Sequence, residues 1–151
     1  MRATIRQSTQ RRAADEPRRG VAATELAVIL PLFLLLVLGA VDFGRFAARE
    51  IAVANGSRAG AGFAVMNPYT TTTQSVWATK MKQAVVDEMQ SMFDSRFGES
   101  NLTVTSLKTN ETGSYWRIKV TVVFPFQTIL NWPGIPHTVN VTQSTEMRGI
   151  R

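Results

Sequence analysis

The sequence predicts an α+β fold in which a long N-terminal membrane-spanning helix packs on a small domain with one further helix and a three-stranded antiparallel sheet. Three stretches carry this expectation. Residues 21–41, VAATELAVILPLFLLLVLGAV, form the most apolar run in the chain, with Glu25 its only charge. Trp77, Met81, Val85 and Met89 recur every four residues, the spacing of one helix face. Trp116, Ile118, Val120, Val122 and Phe124 alternate with Arg117, Lys119 and Thr121, the period of a strand with one buried face.

The first element follows from length. Between Arg19 and Asp42 lie 22 residues, which as a helix rising about 1.5 Å per residue reach roughly 33 Å and cross a bilayer core. The membrane-spanning part is therefore expected at about residues 21–42. Pro31, inside it, removes one backbone hydrogen bond and bends the helix. Beyond Asp42, Phe43, Phe46, Ala47, Ile51 and Ala54 keep the helical spacing. Asn55-Gly56 and Gly60-Ala61-Gly62 weaken it, so the helix is expected to end between 55 and 65. The division expected is a basic leader over 1–20, a helix over 21–65 and an extracytoplasmic α+β domain over 66–151.

In that domain, Asn67-Pro68-Tyr69 and Thr70 to Thr73 read as a linker, and Ser75 as the N-cap of the second helix. Its stripe runs from Trp77 through Met92 and Phe93, and Gly98 ends it. A Met-rich face of this kind is far more often core than binding groove. Residues 101–107 and 115–124 form a hairpin about a turn at 109–113, with Pro125 ending the second strand. A third strand is expected at about 138–147, with Val139, Val141 and Met147 on one face. The connection from Phe126 to Pro136 is rich in apolar residues (Ile129, Leu130, Trp132, Ile135), which suits a segment folded back on the core or a contact patch for a partner subunit.

Charge and composition exclude other classes. The net charge of +6 is concentrated in residues 1–20, where six arginines face Asp15 and Glu16. The remaining chain holds 11 basic against 9 acidic residues. That distribution speaks for membrane orientation and against nucleic-acid binding: five arginines precede Gly20 closely, so the N-terminus is expected in the cytoplasm and the domain outside. With no Cys and His137 as the only His, no zinc or His-pair metal site is expected and no cofactor. No phosphate loop or nucleophile elbow occurs, so no catalytic residue and no enzyme is expected. Gly39 to Arg45 holds no small-residue cleavage pattern of an ordinary signal peptide.

Gly20, followed five residues later by Glu25 at the head of the apolar run, resembles the type IV prepilin processing site. The stretch GVAATELAVILPLFLLLVLGAVDFGR is similar to the N-terminal helix of TadE-like minor pilins or pseudopilins of Tad (Flp) pilus systems. Ala47 to Ala61 and Val120 to Gly149 resemble that family's helix tail and its ending. Leu26 stands where major Flp pilins carry Tyr, which argues against the major subunit. The resemblance implies cleavage by a prepilin peptidase between Gly20 and Val21. It also implies that Glu25 pairs with the freed α-amine of a neighbouring subunit, and that Glu25 and Pro31 serve helix bundling in assembly. The implied partners are the peptidase, other pilin and pseudopilin subunits, the inner-membrane assembly platform and the lipid bilayer. The implied place is the bacterial inner membrane, with adhesion and surface attachment as the pilus's purpose. On the residues alone, Gly20 as a helix cap and Glu25 as an interfacial acid stay open, as does an unprocessed, membrane-anchored binding or sensor module.

Overall fold

The computed structural model describes residues 16–92, 101–111, 115–132 and 134–150, with side chains for all of these except 16–19, 91 and 92. Expectations for residues 1–15, Phe93 and Gly98 lie outside the described residues. In chain order the elements are α1 (Glu16–Met66), α2 (Gln74–Met92), β1 (Thr103–Asn110), β2 (Tyr115–Gln127) and β3 (Thr138–Ile150). This is the α+β arrangement of a long apolar N-terminal helix, one further helix and a three-stranded antiparallel sheet. The chain divides into two units between Val41 and Asp42, inside α1, so residues 42–66 of that helix belong to the second unit.

In the first unit α1 is apolar on every side. Leu32 through Val37 are six consecutive exposed apolar residues; at about 100° per residue they cover the whole circumference. Twelve large apolar side chains from Val21 to Val41 are exposed. At about 0.3–0.6 kcal/mol each near a bilayer centre, they gain about 4–7 kcal/mol. A carboxylate such as Glu25 costs about 3 kcal/mol even at mid-membrane, so the apolar gain prevails. By length and composition this helix can cross a membrane, and Pro31 lies within it.

In the second unit α1 and α2 cover one face of the sheet. The sheet order is β1-β2-β3, antiparallel throughout. Trp116, Ile118, Val120 and Val122 of β2 are buried with Val141 of β3. Val53, Ala61 and Ala64 of α1 and Trp77, Met81, Val85, Val86 and Met89 of α2 complete this core. The Met-rich stripe is thus core rather than a groove. On the sheet's other face Arg117 pairs with Glu111 and Glu146, and Arg148 with Glu111. The arginines of these pairs are at least half exposed, so each pair contributes little individually.

Four local readings change. The helix continues through Gly56, Gly60 and Gly62 to Met66, because the first two glycines are where α2 comes closest. A Cβ on Gly56 would lie 2.8 Å from Met89 Cγ, and one on Gly60 2.6 Å from Val85 Cγ2. The stop is Asn67-Pro68: the Asn67 backbone and side-chain amides both donate to the Phe63 carbonyl, and Pro68 disfavours further helix. Ser75 lies inside α2 rather than at its cap. Thr73 precedes the helix, its carbonyl accepting from the Trp77 N–H at 3.0 Å, and its hydroxyl accepts from the Thr70 N–H.

Pro125 does not end β2, which runs to Gln127. Pairing with β1 stops at Thr103↔Val123, so Pro125 sits where β2 has only β3 beside it and can lack a donor. Finally, Thr109 and Asn110 belong to β1 rather than to the turn; the Glu111 N–H then donates to the Tyr115 carbonyl.

The two central glycine environments predict opposite responses to one substitution. Gly62→Ala, with nothing within 4 Å of the added methyl, is expected to stabilise by about 1 kcal/mol through helix propensity. Gly60→Ala gains the same propensity but presses on buried Val85 and on Val120. Overpacking of about 1–3 kcal/mol outweighs that gain. Denaturant unfolding of the full chain in detergent should show the two variants moving to opposite sides of wild type.

Candidate functional site

The residues singled out from sequence lie along the first unit's helix. Gly20 is exposed, with open space where a Cβ would stand, and Val21 is 57% exposed. Thr24 donates its hydroxyl to the Val21 carbonyl at 2.8 Å. Glu25 and Pro31 are also exposed. Val21 and Glu25, four apart, share one helix face, whereas Gly20 and Pro31 lie elsewhere along the rod. The helix therefore presents these residues as an open surface and does not gather them into a pocket.

The second unit begins with a site that the sequence reading passed over. Asp42 ends the uncharged run that starts after Glu25, and its side chain is only 7% exposed. The Ile129 N–H donates to Oδ1 at 3.0 Å and to Oδ2 at 3.1 Å. The Trp132 indole N–H donates to Oδ2 at 3.1 Å, and Arg45 Nη1 lies 3.0 Å from Oδ1. These donors favour the charged form, the Ile129 backbone amide most of all, against an opposing effect of burial. They hold the Asp42 carboxyl below its usual range.

The apolar connection after β2 is thereby fastened to the head of the second unit's helical segment. Trp132 and Leu130 are half-buried, while Ile129 and Ile135 stay about half exposed. Of the two readings of this segment the fold-back occurs, and the Asp42 carboxylate holds it. At its far end Thr128 and His137 join backbone to backbone and hydroxyl to ring Nδ1, closing the connection just before β3. The one sequence signal for Asp42 was its isolation after sixteen uncharged residues, and that signal named no partner.

Beside the Asp42 clamp two arginines occupy successive turns of α1. The Arg45 guanidinium lies 5.5 Å from the centroid of the Phe126 ring, and that of Arg49 lies 5.7 Å from Phe124. Phe46 meets Phe126 edge-to-face at 5.5 Å. Burial, and then the charge of Arg45, lower the Arg49 pKa from its ordinary value; guanidinium stays charged at any physiological pH. Arg45, Arg49, Phe124 and Phe126 line an open groove of about 200 Å³.

A second groove of about 380 Å³ runs beside Tyr69, Trp77 and Lys80. Among the described residues no group of three or more His, Asp or Glu side chains is placed to hold a metal ion.

No curated protein and no solved structure matches the chain. Residues 20–62 match a family model described as TadE-like protein; the match covers the apolar run and most of the helix beyond it, and does not extend to residues 120–149. Over these residues, less than a third of its length, the chain carries a TadE-like segment, similar to proteins of Tad pilus systems.

Proposed function

We propose that the protein is a minor pilin or pseudopilin that acts in the assembly or initiation of a Tad-type pilus, matured by a prepilin peptidase that cuts between Gly20 and Val21. The observation that carries this reading is the TadE-like segment beginning at Gly20, joined to a helix whose exposed apolar surface needs lipid or other helices to cover it. The N-terminus lies in the cytoplasm and the second unit outside, as the arginine-rich leader favours. Cutting at Gly20 removes only the first turn of α1, whose amide groups lack intrahelical partners in any case.

The new α-amine on Val21 and the Glu25 carboxylate then satisfy each other between neighbouring subunits. Without such pairing, a charge drawn into an apolar bundle is costly. Gly20 needs no side chain, which suits a peptidase that must bring backbone close. Pro31 supplies the bend that lets helices bundle. Docking on the assembly platform and entry into a surface-attaching fibre follow from the same helix surface. The protein's work is structural, with no catalytic step.

The test is the intact mass and N-terminal sequence of the protein from membranes, with and without the cell's prepilin peptidase. A chain that begins at Val21 only when the peptidase is present supports the reading. Gly20→Val should then leave the precursor uncut in at least nine molecules of ten, while Glu25→Gln leaves cutting intact and blocks assembly. A chain that keeps residues 1–20 in both strains would sink the processing step and favour the anchored-module reading.

A further inference from the structure

The groove between α1 and the end of β2 has a composition and a place that its fold does not require. Two guanidiniums, Arg45 and Arg49, stand on the same helix face, each over a phenylalanine ring of β2. The amides of Asn101 and Gln127 lie on the rim. Asp42 offsets one of the two positive charges, and its carboxylate is already held by Ile129, Trp132 and Arg45. Glu50, the next acid along the helix, is turned to Gln143 at 3.2 Å. The groove so defined carries a net charge of about +1 among these groups, with planar donors suited to a phosphodiester.

Its height above the membrane points to the source of that phosphate. With the span ending just before Asp42, Arg45 lies about 4.5 Å and Arg49 about 10 Å beyond Asp42 along the helix. The headgroup layer is about 5–7 Å thick on each side of the hydrocarbon core. Side chains on a helix lean toward its N-terminus, here back toward the bilayer, so both guanidiniums reach into that layer. A free anion would have no reason to favour this height. Zwitterionic lipids bring their own ammonium group, whereas a monoanionic lipid matches the net charge.

We propose that Arg45 and Arg49 bind the phosphodiester of an anionic glycerophospholipid in the outer leaflet, fixing how far the second unit stands off the membrane. The proposal rests on the reading of residues 21–41 as a membrane span. Burial lowers the Arg49 pKa first and the charge of Arg45 second, and an anion between the two guanidiniums relieves the second.

The experiment uses the full chain in neutral detergent, with retained lipid counted by native mass spectrometry. Dioleoyl phosphatidylglycerol is titrated against dioleoylglycerol, which has the same tails and no phosphate. Wild type is expected to retain one phosphatidylglycerol at least about tenfold more tightly than the phosphate-free lipid. R45Q/R49Q should lose about tenfold or more, while R18Q/R19Q in the leader should change little. R45K/R49K keeps the charges but not the planar fork, and should fall between; it carries the test if the Gln variant does not unfold cooperatively.

Unchanged phosphatidylglycerol affinity in these groove variants would overturn the proposal. So would millimolar inorganic phosphate displacing the lipid completely, which would assign the groove to a free anion. Flotation with phosphatidylcholine vesicles separates the two levels. A wild-type chain that does not float overturns the span reading, and the proposal with it. One that floats but shows no phosphatidylglycerol preference overturns the proposal alone.

Discussion

Trp116→Ala is expected to cost about 3–5 kcal/mol, the usual range for deleting a large buried aromatic. That is a large share of the 5–15 kcal/mol by which a domain of this size is stable. Trp116 is 2% exposed on the sheet's inner face, near the start of the middle strand β2. Across the β2–β3 ladder it stands opposite Gly149, and its ring lies where a side chain on Gly149 would be. A Cβ there would come within 2.5 Å of Trp116 Cε2. On the β1 side the Lys108 ammonium sits 4.7 Å from the centre of the same ring.

The ring and the glycine therefore behave as a pair. Gly149→Ala alone should destabilise by about 1–3 kcal/mol through overpacking, because a buried indole has little room to move. In the Trp116→Ala background the same methyl enters vacated space, and its penalty should vanish. Urea unfolding of the four chains in detergent gives the coupling; an excess of about 1 kcal/mol or more over additivity is expected. Strict additivity would show that the ring does not cover Gly149.

Acid is expected to release the segment at 129–132 from Asp42. The carboxyl is held below its ordinary value of 3.8, chiefly by the Ile129 N–H. A group whose folded pKa is depressed adds stability that is fully present above the unfolded value and is lost as pH falls through the folded one. The contribution of Asp42 should thus be intact at pH 5 to 7 and be lost progressively as the pH falls below about 4. Asp42→Asn, which retains one acceptor and no charge, should melt several degrees below wild type at neutral pH. The two proteins should converge as the pH drops below the carboxylate range.

Trp132 offers the local readout, since its indole N–H is bonded to the carboxylate. Its emission should change in wild type over that acid window and stay flat in Asp42→Asn. A melting difference that persists unchanged at pH 3 would show that the charge plays no part.

Much of this protein was legible from spacing. The i, i+4 recurrence of Trp77, Met81, Val85 and Met89 predicts one helix face, and those four side chains are buried. The alternation from Trp116 to Phe124, and from Val139 to Met147, predicts which strand faces turn inward, and the burial pattern follows it. Such signals survive because a helix or strand repeats its geometry every few residues, so local order alone writes them. Local chemistry misled where a neighbour distant in sequence overrode it. Gly56 and Gly60 weaken a helix in isolation, yet here they admit the side chains of α2. Pro125 ends an interior strand, yet stays within β2 because β1 has already stopped.

What the sequence by itself determined was the apolar run after Gly20, its length, the inward faces of the elements beyond it and the TadE-like segment over residues 20–62. Each of these depends on composition and period within a single segment. Only the tertiary structure decided that Asp42 holds Ile129 and Trp132, that Trp116 rests on Gly149, and that Arg45 and Arg49 stand over Phe126 and Phe124. Those contacts join residues tens of positions apart. They exist because helix and sheet, once packed on a shared core, leave these particular groups facing each other, and no local period in the chain records that meeting.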